Sequence, residues 1–304
     1  MGTITGTTSD MQYSFDSTNG SDGNWSNADD QTTAVQFVPG DVYVRQANVP
    51  SNYRLVATIA PASQAPDTLT VTKKADGSVN VYQINVADTL EWSINGTDWT
   101  TGTGSVQDVT IPDAGATVSL RTKATASALA SNIATKVFNA RATAPAVPTV
   151  TKKADGSANV YEINATTTQE WSINGTTWTT GTGALQDVTI PLTGATVSLR
   201  TKATNDALSS VASTKVYAAQ AGAPSTLTHQ QGTTDATTKL VGMTNGQEYR
   251  VGDGSWILIS ADGTVDNIAA TAGQVIQVRT AATANTLASA TYSYTLKATD
   301  ITPQ

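Results

Sequence analysis

The sequence has no cysteine, a single histidine and only 13% charged residues. The absence of cysteine excludes a disulfide framework and a thiolate metal site, so each domain must be stabilised by packing alone. No run of eighteen apolar residues occurs, and the first ten residues, MGTITGTTSD, contain neither the basic nor the apolar segment of a signal peptide. We therefore expect no membrane insertion.

Basic residues are too few and too dispersed for a nucleic-acid surface. The net charge is -7, and lysine and arginine form no run longer than two residues, so no nucleic-acid partner is predicted. The one histidine, His229, lies in the loop-like stretch THQQGTT, and no nucleophile, zinc or nucleotide motif accompanies it. Because acid–base chemistry needs a base that titrates near neutral pH, we predict no catalytic residues and no enzyme activity.

What the sequence has in abundance is repetition. Residues 71–125 and 150–204 are identical at 44 of 55 positions, which indicates recent duplication of one structural unit. Two more divergent copies are recognised by an alternating strand that ends in arginine. These arginines are spaced by 76, 79 and 79 residues: Arg45, Arg121, Arg200 and Arg279. Proline-bearing stretches separate the copies, so we predict four domains, at residues 1–64, 65–145, 146–223 and 224–304.

Each copy consists of short alternating runs separated by turn residues. In the second copy, runs such as SVNVYQIN, TLEWSI, VQDVTIP and ATVSLRT are divided by ADG, NG and DAG turns. Six or seven such strands per copy are typical of an antiparallel β-sandwich of immunoglobulin-like type. The predicted fold class is all-β, with four tandem immunoglobulin-like sandwiches that semi-rigid proline-containing linkers would join into a rod. The stretch ATASALASNIAT, residues 124–135, is expected to be a loop.

A pair of aromatic residues brackets a turn in every copy. In EWSINGTDWT, residues 91–100, Asn95 and Gly96 favour a two-residue type I′ hairpin, which would place Trp92 directly opposite Trp99 on the face of Ile94. Such a pair could bind sugar rings or fill the core, and the small size of the domain favours the core. The predicted core aromatics are Trp25, Trp92, Trp99, Trp171, Trp178, Tyr249 and Trp256.

The four arginines and several turn carboxylates are the remaining candidate sites. Each arginine near the end of its strand is either a solvated side chain on the outer sheet face or part of an interface shared by the copies. Calcium prefers loop carboxylates, but no DxDxDG loop is present and Asp-Gly turns usually only shape the backbone. No cofactor other than calcium is considered, and its candidate ligands are Asp76, Asp113, Asp155, Asp253 and Asp262.

The first copy differs from the others in two places. Its hairpin is lengthened to DSTNGSDGN, residues 16–24, and its opening GTITGTTSD aligns with the second strand of the repeat, so the first strand is missing. The simplest interpretation is a fragment of a longer protein, with Met1 added and further domains on both sides. The alternative is that a neighbouring molecule donates a strand to the open sheet edge.

The repeats resemble the tandem immunoglobulin-like modules of S-layer and other cell-surface proteins of Gram-positive bacilli. The resemblance rests on EWSINGTDWT, EYRVGDGSW and QVIQVRTAATANTLASATYSYTL and covers all four copies. It implies an extracellular structural role, association with copies of itself in a lattice or filament, neighbouring domains in a longer chain that carry the export signal and anchor, and often a calcium requirement. The alternatives are an adhesin or carbohydrate-binding stalk, with residues 16–24 as recognition loop, and an accessory module of a phage protein or secreted enzyme.

Overall fold

The computed structural model describes residues 2–76 and 78–303. In this part of the chain the regular structure consists of β-strands and one short 3-10 helix, Ala298–Asp300, and no helix is long and apolar enough to cross a membrane. The described strands build eight sheets, which follow one another along the sequence as four pairs. The predicted all-β fold of tandem immunoglobulin-like sandwiches is therefore confirmed.

The first sandwich combines a two-stranded sheet with a four-stranded sheet. Its strands are β1 (Gly2–Thr7), β2 (Met11–Ser14), β3 (Ser26–Asn27), β4 (Gln31–Val35), β5 (Gly40–Gln46) and β6 (Val49–Ile59). β1 pairs with β4, and the larger sheet has the order β3-β2-β5-β6. In the described residues the smaller sheet thus has one strand fewer than its counterparts below, as the alignment of the repeats predicted.

The second sandwich has seven strands in sheets of three and four. They are β7 (Val71–Lys73), β8 (Val81–Asn85), β9 (Leu90–Ile94), β10 (Thr100–Thr101), β11 (Val106–Thr110), β12 (Ala116–Thr122) and β13 (Ala134–Phe138). The sheet orders are β11-β8-β7 and β10-β9-β12-β13. Residues 124–133 contain no helix, which confirms the loop predicted for residues 124–135 except at its last two residues, which begin β13.

The third sandwich repeats this arrangement. Its strands are β14 (Val150–Lys152), β15 (Val160–Asn164), β16 (Gln169–Ser172), β17 (Thr179–Thr180), β18 (Leu185–Thr189), β19 (Ala195–Thr201) and β20 (Ser213–Tyr217). The sheet orders are β14-β15-β18 and β17-β16-β19-β20.

The fourth sandwich has the same topology in a more divergent sequence. Its strands are β21 (Thr228–Gln231), β22 (Thr237–Met243), β23 (Gln247–Val251), β24 (Ile257–Leu258), β25 (Gly263–Ala269), β26 (Val275–Thr280) and β27 (Tyr292–Thr295). The orders are β21-β22-β25 and β24-β23-β26-β27. β21 contains His229, so the interpretation of THQQGTT as a loop was wrong for its first part.

The core of the second, third and fourth sandwiches lies between the two sheets of each. In the second sandwich, Val71 and Ile84 from the smaller sheet pack with Val118, Leu120 and Phe138 from the larger one, and none of these five is more than 4% exposed. Alternate residues of a strand point to the same face, so the alternation in ATVSLRT places Val118 and Leu120 inward.

The described residues divide into two compact units. One comprises the chain up to Arg141 together with Ala203–Leu208, and the other comprises Ala142–Lys202 together with the chain from Ser209 onward. The first unit thus holds the first two sandwiches and a short segment from the third repeat, while the second unit holds the remaining strands.

The hairpin register differs from the predicted one by a single residue. Asn95 and Gly96 have the positive φ angles that a type I′ turn needs, 85° and 77°, but Trp92 lies opposite Thr100 rather than Trp99. Ser93 Oγ accepts a hydrogen bond from Gly96 N at 3.1 Å, and five residues separate β9 from β10. A one-residue change of register moves a side chain to the opposite face of the sheet.

The consequence is that three of the seven predicted core aromatics pack on a core. Trp92, Trp171 and Tyr249 pack on the apolar clusters of their sandwiches. The prediction was wrong for the second aromatic of each pair, because the observed register turns it to the outer face, where it lies half-buried over an arginine: Trp25, Trp99, Trp178 and Trp256.

Candidate functional site

In both units a loop inserts a leucine into the core of a sandwich. Leu208, from the segment Ala203–Leu208, belongs to the core cluster of the second sandwich, and Leu287 belongs to that of the third. Each leucine is only 6% exposed. Burial of a leucine side chain stabilises by about 1.5–3 kcal/mol before other costs, so each insertion stabilises the sandwich that receives it.

Tyrosine hydroxyls from the receiving sandwich hold these loops. Tyr82 Oη donates to the carbonyl of Ala207 at 2.8 Å. In the second unit, Tyr161 Oη donates to Thr286 O at 2.5 Å and Tyr217 Oη to Ala284 O at 2.7 Å. Burial raises the pKa of Tyr161 and of Tyr217 to about 12. A buried hydroxyl needs a partner, and here the inserted loop supplies it.

The repeated loop sequence itself shapes the insertion. A backbone hydrogen bond closes the turn before the leucine, from Thr283 N to Thr286 O at 3.0 Å, and Thr125 and Thr204 form the same turn. After the leucine, the buried Ser289 Oγ accepts a hydrogen bond from Thr280 N at 2.8 Å and donates to Ala290 O. The loop is therefore anchored on both sides of Leu287.

The first and fourth sandwiches depart from this pattern. In the first sandwich, Ala60 N donates to Ser127 O at 2.8 Å and Ala60 O accepts from Leu129 N at 3.2 Å, but Leu129 is only half-buried. The fourth sandwich is closed by its own C-terminal segment, because Ile301 packs on its core and Thr302 N donates to Thr237 O at 3.0 Å.

We did not predict these insertions from the sequence, although a signal was present. Leu129, Leu208 and Leu287 recur 79 residues apart in stretches that are otherwise small and polar. A large apolar residue that recurs at the same position of a loop in each repeat indicates that its side chain is buried against residues outside that loop. Only the fold shows that these residues belong to the preceding sandwich.

Arginine–tryptophan stacks form the second recurring feature, on the outer face of each four-stranded sheet. The guanidinium carbons lie 3.7–4.0 Å from the centroid of the indole, in the pairs Arg45–Trp25, Arg121–Trp99, Arg200–Trp178 and Arg279–Trp256. This places the guanidinium over the ring face in a cation–π contact. All four arginines predicted as candidate interface residues therefore share one geometry.

A carboxylate completes the stack in the last three sandwiches. Glu91, Glu170 and Glu248 accept from the Nε atoms of Arg121, Arg200 and Arg279 at 2.6, 2.7 and 2.5 Å. In the first sandwich the neutral Gln12 takes this place, and its Oε1 accepts from Arg45 at 2.9 and 3.1 Å. The pairing follows from register, because Arg121 lies directly opposite Glu91 on neighbouring strands.

The arginine–tryptophan stacks argue against the hypothesis that the aromatic pair of each hairpin binds sugar rings. Trp92 and Trp99 lie on opposite faces of the sheet, so they do not form one aromatic surface, and a guanidinium already covers one face of Trp99. Arg200 and Arg279 are only 7% exposed. Arg45 and Arg121 are half-buried, and Arg279 also donates to Gly156 O of the third repeat at 2.9 Å.

The five calcium candidates are dispersed. In the part of the chain that the structure describes, no three histidine or acidic side chains form a group that could hold a metal ion. Asp76 pairs with Lys74 at 3.0 Å, Asp155 accepts from Ser157 N, and Asp113 pairs with Arg141 at 2.9 Å. Hydrogen bonds from Ser78 and Lys74 lower the pKa of Asp76. The remaining candidates, Asp253 and Asp262, lie in the fourth sandwich, where Asp262 accepts from Asn245 N at 2.6 Å.

The lengthened hairpin of the first sandwich is held together by its own carboxylates. Asp16 accepts from Asn24 N and Nδ2 at 2.7 and 2.6 Å, while Asp22 accepts from Ser17 Oγ and Thr18 N, both at 2.7 Å. These bonds lower the pKa of both carboxyl groups. The hairpin thus has a fixed conformation of its own.

His229 is packed between rings in the fourth sandwich. Its imidazole stacks on Tyr294 with centroids 3.9 Å apart, and its Nε2 lies 3.1 Å from Tyr292 Oη. Burial lowers the pKa of His229. The ring is half-buried, and the two tyrosines that contact it, Tyr292 and Tyr294, pack on the core of the fourth sandwich.

No protein-family model and no curated protein matches the sequence. Among solved structures, the chain is similar to the central fibronectin-III array of RIM-binding protein, with 15% identity, a TM-score of 0.19, and coverage of 76% of this chain and 98% of that one. It is also similar to the FN1–FN3 domains of chicken CNTN1, with 11% identity, a TM-score of 0.25, and coverage of 78% and 99%. The assignment of the fold rests on the sheets described above.

Proposed function

We propose that the chain is a structural, self-assembling segment of a bacterial surface-layer protein, located outside the cell. The observation that carries this proposal is the leucine insertion, in which Leu287 of the fourth repeat is buried in the core of the third sandwich, within one unit. An inserted core residue couples repeats far more firmly than a flexible linker does. That property suits an array that bears load within a lattice or filament, and it serves no catalytic purpose.

Lateral association with copies of the same chain is supported by apolar residues on exposed strands. Val106 and Val137 are 57% and 60% exposed, and the equivalent Leu185 and Val216 are 59% and 69% exposed. β11, β13, β18 and β20 are all edge strands of their sheets. An exposed edge with apolar side chains is a surface on which strands of another molecule can pair.

In this proposal, calcium would bind only between two copies of the chain. The candidate carboxylates do not converge within one chain, so a bridging ion would have to take ligands from two copies. Carboxylates such as Asp253, which is exposed, suit this role because calcium accepts oxygen ligands in flexible geometry. No neighbouring nucleic acid or membrane is part of the proposal.

Negative-stain electron microscopy of the purified full chain tests the assembly. We expect ordered sheets or filaments at high protein concentration, stronger with calcium than with a chelator. The double variant Val137→Lys/Val216→Lys should lose them, whereas Val147→Lys, at an equally exposed position outside the strands, should not. Monomers alone under every condition would contradict the proposal.

An adhesin is the second candidate, because residues 16–24 form a pre-organised hairpin. A loop fixed by Asp16 and Asp22 loses little conformational entropy when it binds a ligand. Binding to a glycan array that disappears when the loop is shortened to an Asn-Gly turn would favour this function over assembly.

A further inference from the structure

The loop between β14 and β15, residues 153–159, lies against the fourth sandwich within one compact unit. Arg279 Nη2 donates to Gly156 O at 2.9 Å, and Ala288 N donates to Ala158 O at 3.2 Å. The two donors belong to different parts of the fourth repeat, the strand β26 and the leucine loop that follows it. Separate elements of the fourth repeat therefore hold two neighbouring carbonyl groups of the β14–β15 loop.

The surface that receives this loop is the arginine–tryptophan stack of the fourth sandwich. Trp256 Cδ1 lies 3.9 Å from the position that a Cβ atom on Gly156 would occupy, so the indole lies directly beside this glycine. Arg279 and Arg250 both lie over the indole, 4.0 and 4.7 Å from its centroid. Gly156 has a φ of 78°, a left-handed conformation that glycine adopts readily. The conformation of the loop thus depends on the residue that contacts the stack.

Charged groups lie on both sides of this contact. Arg279 Nε donates to Glu248 Oε1 at 2.5 Å, while its Nη2 atom points to the loop. The planar guanidinium can bind two acceptors at once because its donors form a rigid fork. Burial lowers the pKa of Lys152, which directly precedes the loop, and the charges of Asp155, Arg279 and Glu248 also act on its amine. The loop therefore meets the ion pair of the fourth sandwich.

The fourth repeat in turn contributes to the third sandwich. Leu287 is buried in the core of the third sandwich. Gln220 Nε2 donates to Ala288 O at 3.0 Å, and Ala290 N donates to Ala221 O at 2.8 Å. Contacts run in both directions, so the opening of either sandwich removes contacts from the other.

We propose that the Arg279–Trp256 stack is a recognition surface for the β14–β15 loop, and that this contact and the Leu287 insertion make the third and fourth sandwiches stabilise each other. The surface fits a glycine-containing turn that lies beside the indole and presents a backbone carbonyl to the guanidinium. This inference concerns contacts inside one chain and does not depend on the proposed surface-layer function. Hydrogen–deuterium exchange of the full chain at low protein concentration tests it whether or not copies of the chain assemble.

Asp155→Ala tests the contact from the side of the loop. Asp155 Oδ1 accepts from Ser157 N at 2.9 Å, and its side chain is 39% exposed, so the variant should fold. We expect the β26 amides to exchange about fivefold faster, because a loosened loop loses its hydrogen bond to Arg279. Asp76→Ala is the matched control, since Ser78 N donates to Asp76 Oδ1 at the same 2.9 Å in the second repeat. It should change exchange at β26 by less than about twofold.

Arg279→Lys tests the contact from the side of the stack. Lysine keeps a positive charge beside Glu248 but lacks the planar fork that binds a carboxylate and a carbonyl together. We expect the amides of Ser157 and β15 to exchange about fivefold faster. Arg121→Lys alters the equivalent stack of the second sandwich, where Arg121 pairs with Glu91, and should change exchange at Ser157 and β15 by less than about twofold.

Two results would overturn the proposal. One is a change of exchange that stays within the mutated repeat in both Asp155→Ala and Arg279→Lys. The other is an equal change at β26 in Asp155→Ala and Asp76→Ala. If Arg279→Lys unfolds the fourth sandwich, the comparison of Asp155→Ala with Asp76→Ala decides the test alone.

Discussion

Replacement of Glu170 by alanine should leave Arg200 as a buried charge without its carboxylate. Arg200 Nε lies 2.7 Å from Glu170 Oε1, and the two side chains are only 9% and 16% exposed. On its other side Arg200 stacks on Trp178, 3.7 Å from the ring centroid.

The expected cost follows from these contacts. Removal of one partner from a buried ion pair costs about 3–5 kcal/mol, while the retained cation–π contact with Trp178 offsets about 1 kcal/mol. Glu170→Ala should therefore destabilise the third sandwich by about 2–4 kcal/mol. Glu170→Gln should cost less, about 1–2 kcal/mol, since the first sandwich uses glutamine in the same place, where Gln12 accepts from Arg45.

Hydrogen–deuterium exchange of the full chain can resolve this effect within one sandwich. Amides of β16 and β19 should exchange about 30-fold to 1000-fold faster in Glu170→Ala, because exchange through local opening reports the local free energy. Glu162→Ala, on β15 of the other sheet, is the matched control and should change exchange little. Indistinguishable exchange in Glu170→Ala and Glu162→Ala would refute the view that the stack stabilises the sandwich.

Three further predictions follow from the same structure. Burial lowers the pKa of His229 below 6.5, so on acidification the unfolded chain binds the proton first, and the fourth sandwich loses stability below about pH 6.5. The NMR signal of the C2 proton of this single histidine should titrate with a midpoint below that value. A higher midpoint would contradict the prediction. Leu287→Ala should destabilise the third sandwich by about 3 kcal/mol, measured by exchange at β15, whereas Leu192→Ala, at a 48% exposed position, should have little effect. Trp92→Ala should lower the stability of the second sandwich by about 3 kcal/mol and Trp99→Ala by only about 1 kcal/mol. Hydrogen–deuterium exchange of the β12 amides measures both effects, and the reverse order would show that Trp99 is the core residue.

The aromatic hairpins show how far a local pattern reaches. Asn95 and Gly96 correctly predicted a turn with positive φ angles, and Trp92 and Ile94 correctly predicted an inward face. The pairing of Trp92 with Trp99 was wrong because the turn also bonds to Ser93 and to β12, where Asn95 N donates to Thr117 O at 3.0 Å. Contacts with a strand more than twenty residues away chose the register, and no local pattern contains them.

The candidate site was less accessible to sequence reasoning than the fold. Arg121 was identified by its spacing, but its partners Glu91 and Trp99 became visible only when register placed all three on one outer face. Leu287 lies in the fourth repeat's counterpart of the loop predicted at residues 124–135, and nothing within that stretch indicates that Tyr161 and Tyr217 receive it. Each of these groups joins residues from different strands or different repeats.

By itself, the sequence determined the repeat, the alternation of its strands, the turns and the missing strand of the first copy, because these depend on periodicity and on residues near one another in the chain. Only the tertiary structure decided which tryptophan faces the core, what Arg200 pairs with and where each leucine loop ends. Those outcomes depend on registers and packing between distant segments, where a shift of one residue exchanges the two faces of a sheet.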